Sequence, residues 1–252
     1  MRRIRVVSLL LIFTVILASL SGCSKDKTKP ADNYKLPSFV DSTFNLNVPE
    51  GLKNSPDMHA KYVVSEIQSV TDLSGFLGNF VPPDNATENN GFYQWSISYD
   101  GNTITFYWQY KEETDKNTWT EQVQFNDSTK YDFVSAWESK TSRTGQVIYN
   151  FNWTCADPNN NSGDQNNCQA LNYTYSWNTS SDGTFTFKKD WQSSQSTTDV
   201  YNYDFVINAD GSGSLKEYNQ GNLYMDIEWD NQGNGTWTQY TGDTSQSGSW
   251  SV

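Results

Sequence analysis

The sequence predicts a mainly β fold: about twelve antiparallel strands in an up-and-down meander, curled into a barrel or half-barrel, with one N-terminal helical segment packed on the apolar face. Three observations predict it. From Phe92 onward, aromatic and aliphatic residues alternate with polar ones at period two, as strands do when one face is buried and the other meets water. The alternating runs are joined by short connections rich in Gly, Asn, Asp and Ser, so neighbours in sequence pair antiparallel. Ahead of the strands, Val63, Ile67 and Val70 recur at i, i+4 and i+7, which is one helical stripe.

The chain begins with Arg2, Arg3 and Arg5, followed by an almost wholly apolar run from Val6 to Leu20. That run falls short of the roughly 20 residues a membrane-spanning helix needs. A basic head, a short apolar segment and small residues make an export signal. Leu20-Ser21-Gly22-Cys23 then ends in cysteine. Here the chain resembles the bacterial lipoproteins, whose lipobox has Leu, a small residue, Gly or Ala, and Cys in these four places.

The resemblance implies a signal peptide over 1–22, cleavage before Cys23, a diacylglycerol on its thiol and a fatty acyl group such as palmitate on its new amino group. Two or more acyl chains anchor stably where one does not. It further implies a bacterial cell-envelope location with the membrane as a partner. Ser24, where an Asp would retain the protein in the inner membrane of enteric bacteria, favours the outer membrane.

Residues 23–50 read as a lipidated tether: "SKDKTKPADNYKLPS" is polar, aperiodic and holds two prolines. Residues 51–252 form a single β-rich domain whose helix spans about 56–80. Ser55 can cap that helix, Pro56 suits its first turn and Asp57 its positive end. Pro82-Pro83 ends it.

Tyr93, Trp95, Ile97 and Tyr99 alternate up to Asp100-Gly101, and Ile104, Phe106, Trp108 and Tyr110 alternate after it, a strong hairpin signal. Alternation returns in Trp119/Val123/Phe125, Val147/Tyr149/Phe151/Trp153, Tyr173/Tyr175/Trp177, Phe185/Phe187, Tyr201/Tyr203/Phe205/Ile207 and Leu223/Met225/Ile227/Trp229. Weaker runs lie near Phe133, Leu215, Trp237 and Trp250. "SSDGTFTF", "NADGSGSL" and "NQGNGTWT" each put a glycine before a strand, with Gly183, Gly211 and Gly233 at irregular spacing. That pattern points to successive hairpins more than to a strict array. So many twisted strands do not lie flat, hence the curl.

The formal net charge is −12, or about −15 without the three signal arginines. Such acidity argues against nucleic acid as a partner. Aromatics make up 15% of the chain, with ten tryptophans, too many for disorder. Cys155 and Cys168 flank a long loop and, in an exported chain, are expected to form a disulfide. Free thiols are the alternative, and two cysteines without nearby histidines make a poor zinc site. Within that loop Asp157, Asn159, Asn161 and Asp164 alternate like the start of a calcium loop, but Gly163 is one place late and no Glu closes it. "NADGSG" at 208–213 has the same character. Calcium is the one cofactor these loops admit, and no metal ligand is assigned.

No catalytic residue is assigned either. The single histidine, His59, reads as a surface residue of the helix, and neither a nucleophile elbow nor a phosphate loop occurs. Glu112, Glu113, Glu121 and Glu138 are the carboxylates available to a hydrolase. The expectation is therefore a binding protein. Trp95, Trp108, Tyr149, Trp153, Tyr175, Trp177, Tyr203 and Trp229 are the candidate ligand-facing residues, since Tyr and Trp suit a partly wet groove for an amphipathic molecule. In outline this is similar to lipocalin-like lipoproteins and half-barrel lipoprotein carriers. The alternative is a structural or interaction lipoprotein with a filled core, meeting protein or glycan through its loops or polar face. A cavity of several hundred cubic ångströms under the helix favours the carrier. Tyr107, Trp137 and Trp191 fall outside the regular alternation, either as exposed platforms or as bulge markers.

Overall fold

The structure, a computed structural model, describes residues 46–78, 82–99, 101–150, 171–193 and 200–252. The signal, Cys23, most of the tether, Trp153, Cys155, Cys168 and the 157–164 loop lie outside the described residues.

Among the described residues two helices precede the strands: α1 (Glu50–Asn54) and α2 (Met58–Gly78). The strands are β1 (Thr87–Asn89), β2 (Phe92–Tyr99), β3 (Asn102–Glu112), β4 (Lys116–Phe125), β5 (Tyr131–Ser139), β6 (Arg143–Asn150) and β7 (Leu171–Thr179). They continue as β8 (Phe185–Ser193), β9 (Val200–Ile207), β10 (Gly213–Asn219), β11 (Asn222–Trp229), β12 (Gly235–Thr241) and β13 (Thr244–Trp250). All thirteen form one sheet in strict sequence order, and β1 and β13 are its two edges. Every neighbouring pair is antiparallel. The expected meander is the observed one, and the sheet is not closed.

Side chains from β2 through β13 are buried on one face, from Tyr93 to Trp250, in a single core with Ala60, Val63, Ile67 and Val70 of α2. A flat sheet of this strand number is about 60 Å wide, whereas one helix covers only about 10 Å. A single buried core that draws on strands from β2 to β13 therefore requires the sheet to curl around its inner face. Leu46 and Val48 also pack on the core, so the folded body reaches into what the sequence reads as tether.

The helix expected over about 56–80 is α2, and the short α1 precedes it. Ser55 and Pro56 separate them, and the cap of α2 is Asp57: its Oδ1 accepts from the backbone N–H of His59 at 2.7 Å and of Ala60 at 3.3 Å. A carboxylate there satisfies otherwise unpaired amides and complements the helix dipole.

The glycines noted in sequence close three equivalent turns. In each, the first residue (Ser180, Asn208, Asp230) donates its N–H to the carbonyl four residues on and accepts from the glycine N–H, at 2.8–3.1 Å. Gly183, Gly211 and Gly233 take φ of 87°, 90° and 99°, left-handed conformations that glycine adopts without a Cβ penalty. α1 docks on the last of these turns, and the segment before it on the second. Leu52 is fully buried, its backbone lies against Gly233, and Asn47 Nδ2 donates to Ala209 O at 3.3 Å.

Candidate functional site

Strand register sorts the inner face into ranks running across the sheet. One rank is Tyr93, Trp108, Glu121, Val134, Tyr149, Tyr173, Trp191 and Tyr201, each opposite the next. The adjacent rank includes Trp119, Ala136, Val147, Tyr175, Lys189, Tyr203, Glu217 and Met225. Side chains in one rank are direct cross-strand neighbours.

The first rank holds an anomaly. Glu121 occupies an inward position of β4 between Trp119 and Val123 and is only 3% exposed. Its Oε2 has no hydrogen-bond partner among the described residues. Burial alone pushes its carboxyl up to about 8, because removing a charge from water disfavours the ionised form. The Trp108 and Val134 side chains flank it in register. Tyr149, itself 2% exposed, is held well above the ordinary phenol range first by burial, then by Tyr175 and Glu121. Beside Glu121 the β4–β5 register slips: Glu121 faces Val134 but Gln122 faces Asp132, leaving Phe133 as an extra residue on β5. Both Phe133 and Val134 are buried. Such bulges re-aim side chains and gather next to functional sites.

The second rank carries a polar seam where α2 crosses the sheet. Tyr62 Oη donates to Glu217 Oε1, and Lys189 Nζ sits 5.2 Å from the Tyr203 ring centroid. Burial raises both Glu66 and Glu217 above the usual carboxylate range, while Lys189 pulls each of them back. Glu217 also stands at a bulge, since it faces Met225 while Tyr218 faces Leu223.

Of the expected ligand-facing residues, Trp95, Trp108, Tyr149, Tyr175, Trp177, Tyr203 and Trp229 all occupy inward register positions. They are not one lining. Trp108 and Tyr149 share the Glu121 rank, and Tyr175 and Tyr203 share the seam. Trp177 and Trp229 lie against Gly145 and Gly213, and Trp229 Nε1 donates to Gly211 O at 2.9 Å, so their work is packing. Trp95 stacks on Phe106 with centroids 5.2 Å apart.

Three readings are corrected. Trp191 does not break the alternation: it faces inward opposite Tyr173 and Tyr201. The bulges fall at Phe133 and Tyr224, and Tyr107 on the outer face is engaged, with Lys130 Nζ 3.4 Å from its ring centroid and its hydroxyl 2.6 Å from Gln124 Oε1. His59 is not a free surface residue, since it stacks on Trp237 with centroids 4.0 Å apart.

Of the four hydrolase carboxylates, Glu112 and Glu138 stand on either side of Asn117 in one register rank, with backbones two strand spacings, about 10 Å, apart. Glu112 bonds Lys140 at 3.0 Å and Glu113 lies 3.6 Å from Lys116. Glu138 faces Asn117, about 13 Å along the strand from Glu121, beyond either glycosidase spacing. At the 208–213 turn, the Asp210 carboxylate is occupied by Ser212 N–H at 3.0 Å and Ser212 Oγ at 2.7 Å. Among the described residues no group of three metal-ligating side chains comes together.

An open cleft of about 490 Å³ lies between the ends of β11, β12 and β13, lined by Trp229, Trp250, Asp230 and Thr236 among others. No residue of α2 lines it. Comparison of the chain with known protein families, curated proteins and solved structures gives no match.

Proposed function

We propose that this protein is a lipid-anchored envelope protein that carries an apolar or amphipathic ligand on the inner face of its curled sheet. Glu121 is the observation that supports this reading most directly. Proteins rarely leave a buried polar group without a partner, and a carboxyl without one costs several kcal/mol, of order, where a Leu would cost nothing. A ligand group that bonds Glu121 accounts for its place in an otherwise aromatic rank. Native mass spectrometry of the protein purified from its host tests the reading. A small molecule should travel with the folded protein and be lost from Glu121→Leu; a bare polypeptide mass for the wild type would count against the carrier.

Anchoring through Cys23 is a separate part of the proposal, supported by the lipobox. Labelling cells with a palmitate analogue should mark the wild-type chain and leave Cys23→Ser unmarked and released from the membrane fraction.

One observation favours a scaffold as the second reading. Gly145, Gly213, Gly235 and Gly248 each face a tryptophan across the ladder: Trp177, Trp229, Trp250 and Trp237. A Cβ on any of them would come within 3.0 Å of that ring. At those positions the chain's own rings take the place of the missing side chains.

A further inference from the structure

The Glu121 rank grades from buried to open. Glu121 and Tyr149 are closed off, Tyr173 and Trp191 are half-buried, and Tyr201 is 41% exposed. The rings are continuous at the open end, with Tyr173 6.4 Å from Trp191 and Trp191 5.2 Å from Tyr201 between centroids. An elongated apolar body laid along that run from the Tyr201 side brings its head to the carboxyl.

We infer that this site takes an organic cation, an ammonium head on an apolar body, with the Glu121 carboxylate as counter-ion and the Trp108 and Tyr149 rings beside the head. The inference rests on the carrier reading above. Three observations converge on a cation. The rank contains an acid and no base, and no cation among the described residues offsets Glu121's burial. Lys189, in the next rank, is directed to Glu66, Glu217 and Tyr203. Aromatic faces present negative potential, which attracts an ammonium most strongly when water is excluded. The chain's formal net charge of −12 draws cations and repels acids. A neutral or anionic head could accept a hydrogen bond from the protonated Glu121, but neither would gain from the negative potential of the ring faces.

Binding is coupled to a proton. The empty site holds Glu121 protonated at neutral pH; when the ammonium enters, that proton leaves for the buffer and the carboxylate pairs with the head. Among the described residues, the titratable group that Glu121 acts on is the Tyr149 phenol on β6, which in turn faces Tyr173 and packs on Tyr175 of β7. All are raised by burial and stay neutral.

Calorimetry with three probes of one chain length tests this: dodecyltrimethylammonium, dodecanol and dodecanoate, each below its micelle concentration. At about pH 6.5 the cation should bind tightest of the three probes, releasing about one proton per molecule, as read from buffers of different ionisation heat. Its affinity should rise about tenfold per pH unit and level off near 8. Glu121→Gln, checked for folding by circular dichroism, should weaken the cation by roughly 30-fold or more and leave dodecanol unchanged. Dodecanol or dodecanoate binding as well as the cation, without proton release, overturns the cation and leaves the carrier standing. If none of the three binds the wild-type protein, the carrier reading falls with it. The proton count is measured on the wild type, so it stands even if the variant fails to fold.

Discussion

Gly145 and Trp177 face each other across β6 and β7, and a Cβ added to Gly145 would fall within 3.0 Å of the Trp177 indole and 2.8 Å from the Trp137 carbonyl oxygen. The indole fills the place a side chain would take. The same exchange recurs at Gly213–Trp229, Gly235–Trp250 and Gly248–Trp237, so a missing side chain on one strand is supplied by a large one from its neighbour, as aromatic rings do for glycines in sheets. Two of these tryptophans also tie the strand to a turn: Trp229 Nε1 donates to Gly211 O and Trp250 Nε1 to Gly233 O, the latter at 2.7 Å.

Gly145→Ala should therefore destabilise by about 2–3 kcal/mol, since overpacking a filled core displaces a ring that is itself buried. Urea unfolding followed by tryptophan emission measures it. Gly101→Ala is the control. A Cβ there meets nothing within 4 Å, and only the positive φ of 78° resists it, so the cost should be about 1 kcal/mol.

Gly233→Ala tests the docking of α1. Its φ is 99°, and an added Cβ would strike the backbone of Gly51 and Leu52. The turn cannot accept the methyl group without moving α1 away, and Leu52 then loses its fully buried site. Limited proteolysis should cut the variant between α1 and α2 within minutes under conditions that leave the wild type intact. Equal resistance would show that α1 is held by something other than this turn.

Tyr62→Phe removes the hydroxyl that donates to Glu217. Burial already raises Glu217, and Tyr62 is the leading influence lowering it. The variant should shift Glu217 further upward, visible by carboxyl NMR titration, and lose roughly 1–2 kcal/mol because a half-buried acceptor is left without its donor.

Most of the fold was legible because period two is a direct record of which face is buried. Tyr93 to Tyr99 and Ile104 to Tyr110 read as a hairpin and form one. The turn glycines read as hairpin closures, and the positive φ of Gly183, Gly211 and Gly233 bears this out. What sequence could not supply was register. Period two tells which face Trp191 occupies but not which residues stand opposite, and the Phe133 bulge leaves no trace in a pattern where both Phe133 and Val134 are apolar. The cap of α2 was misplaced because Ser55, Pro56 and Asp57 all favour a helix start, and only coordinates choose among them. Glu121 was visible, though for a different reason. Trp119, Val123 and Phe125 mark β4 with one inward place missing, and that gap is Glu121. A carboxylate at an inward position is the signal that points to the site.

Glu121→Gln should leave stability nearly unchanged near pH 4.5 and stabilise the protein increasingly as pH rises. The folded carboxyl is raised to about 8 from an ordinary 4.5, so between those values the folded protein holds a proton that the unfolded chain has released. The proton-linked stability is full below about 4.5 and is lost as pH climbs to about 8, at roughly 1 kcal/mol per pH unit. Glu66 and Glu217 are raised as well and slope the same way in both proteins, so the difference between wild type and variant isolates Glu121. Near pH 4.5 the amide and the protonated acid should be about equally stable. By pH 7 the variant should be the more stable by about 2–3 kcal/mol, and the gap should stop widening above about 8. Thermal or urea unfolding across that range reads the difference. A constant gap at all pH values would mean that Glu121 is ionised in the folded chain, with a partner that neutralises it.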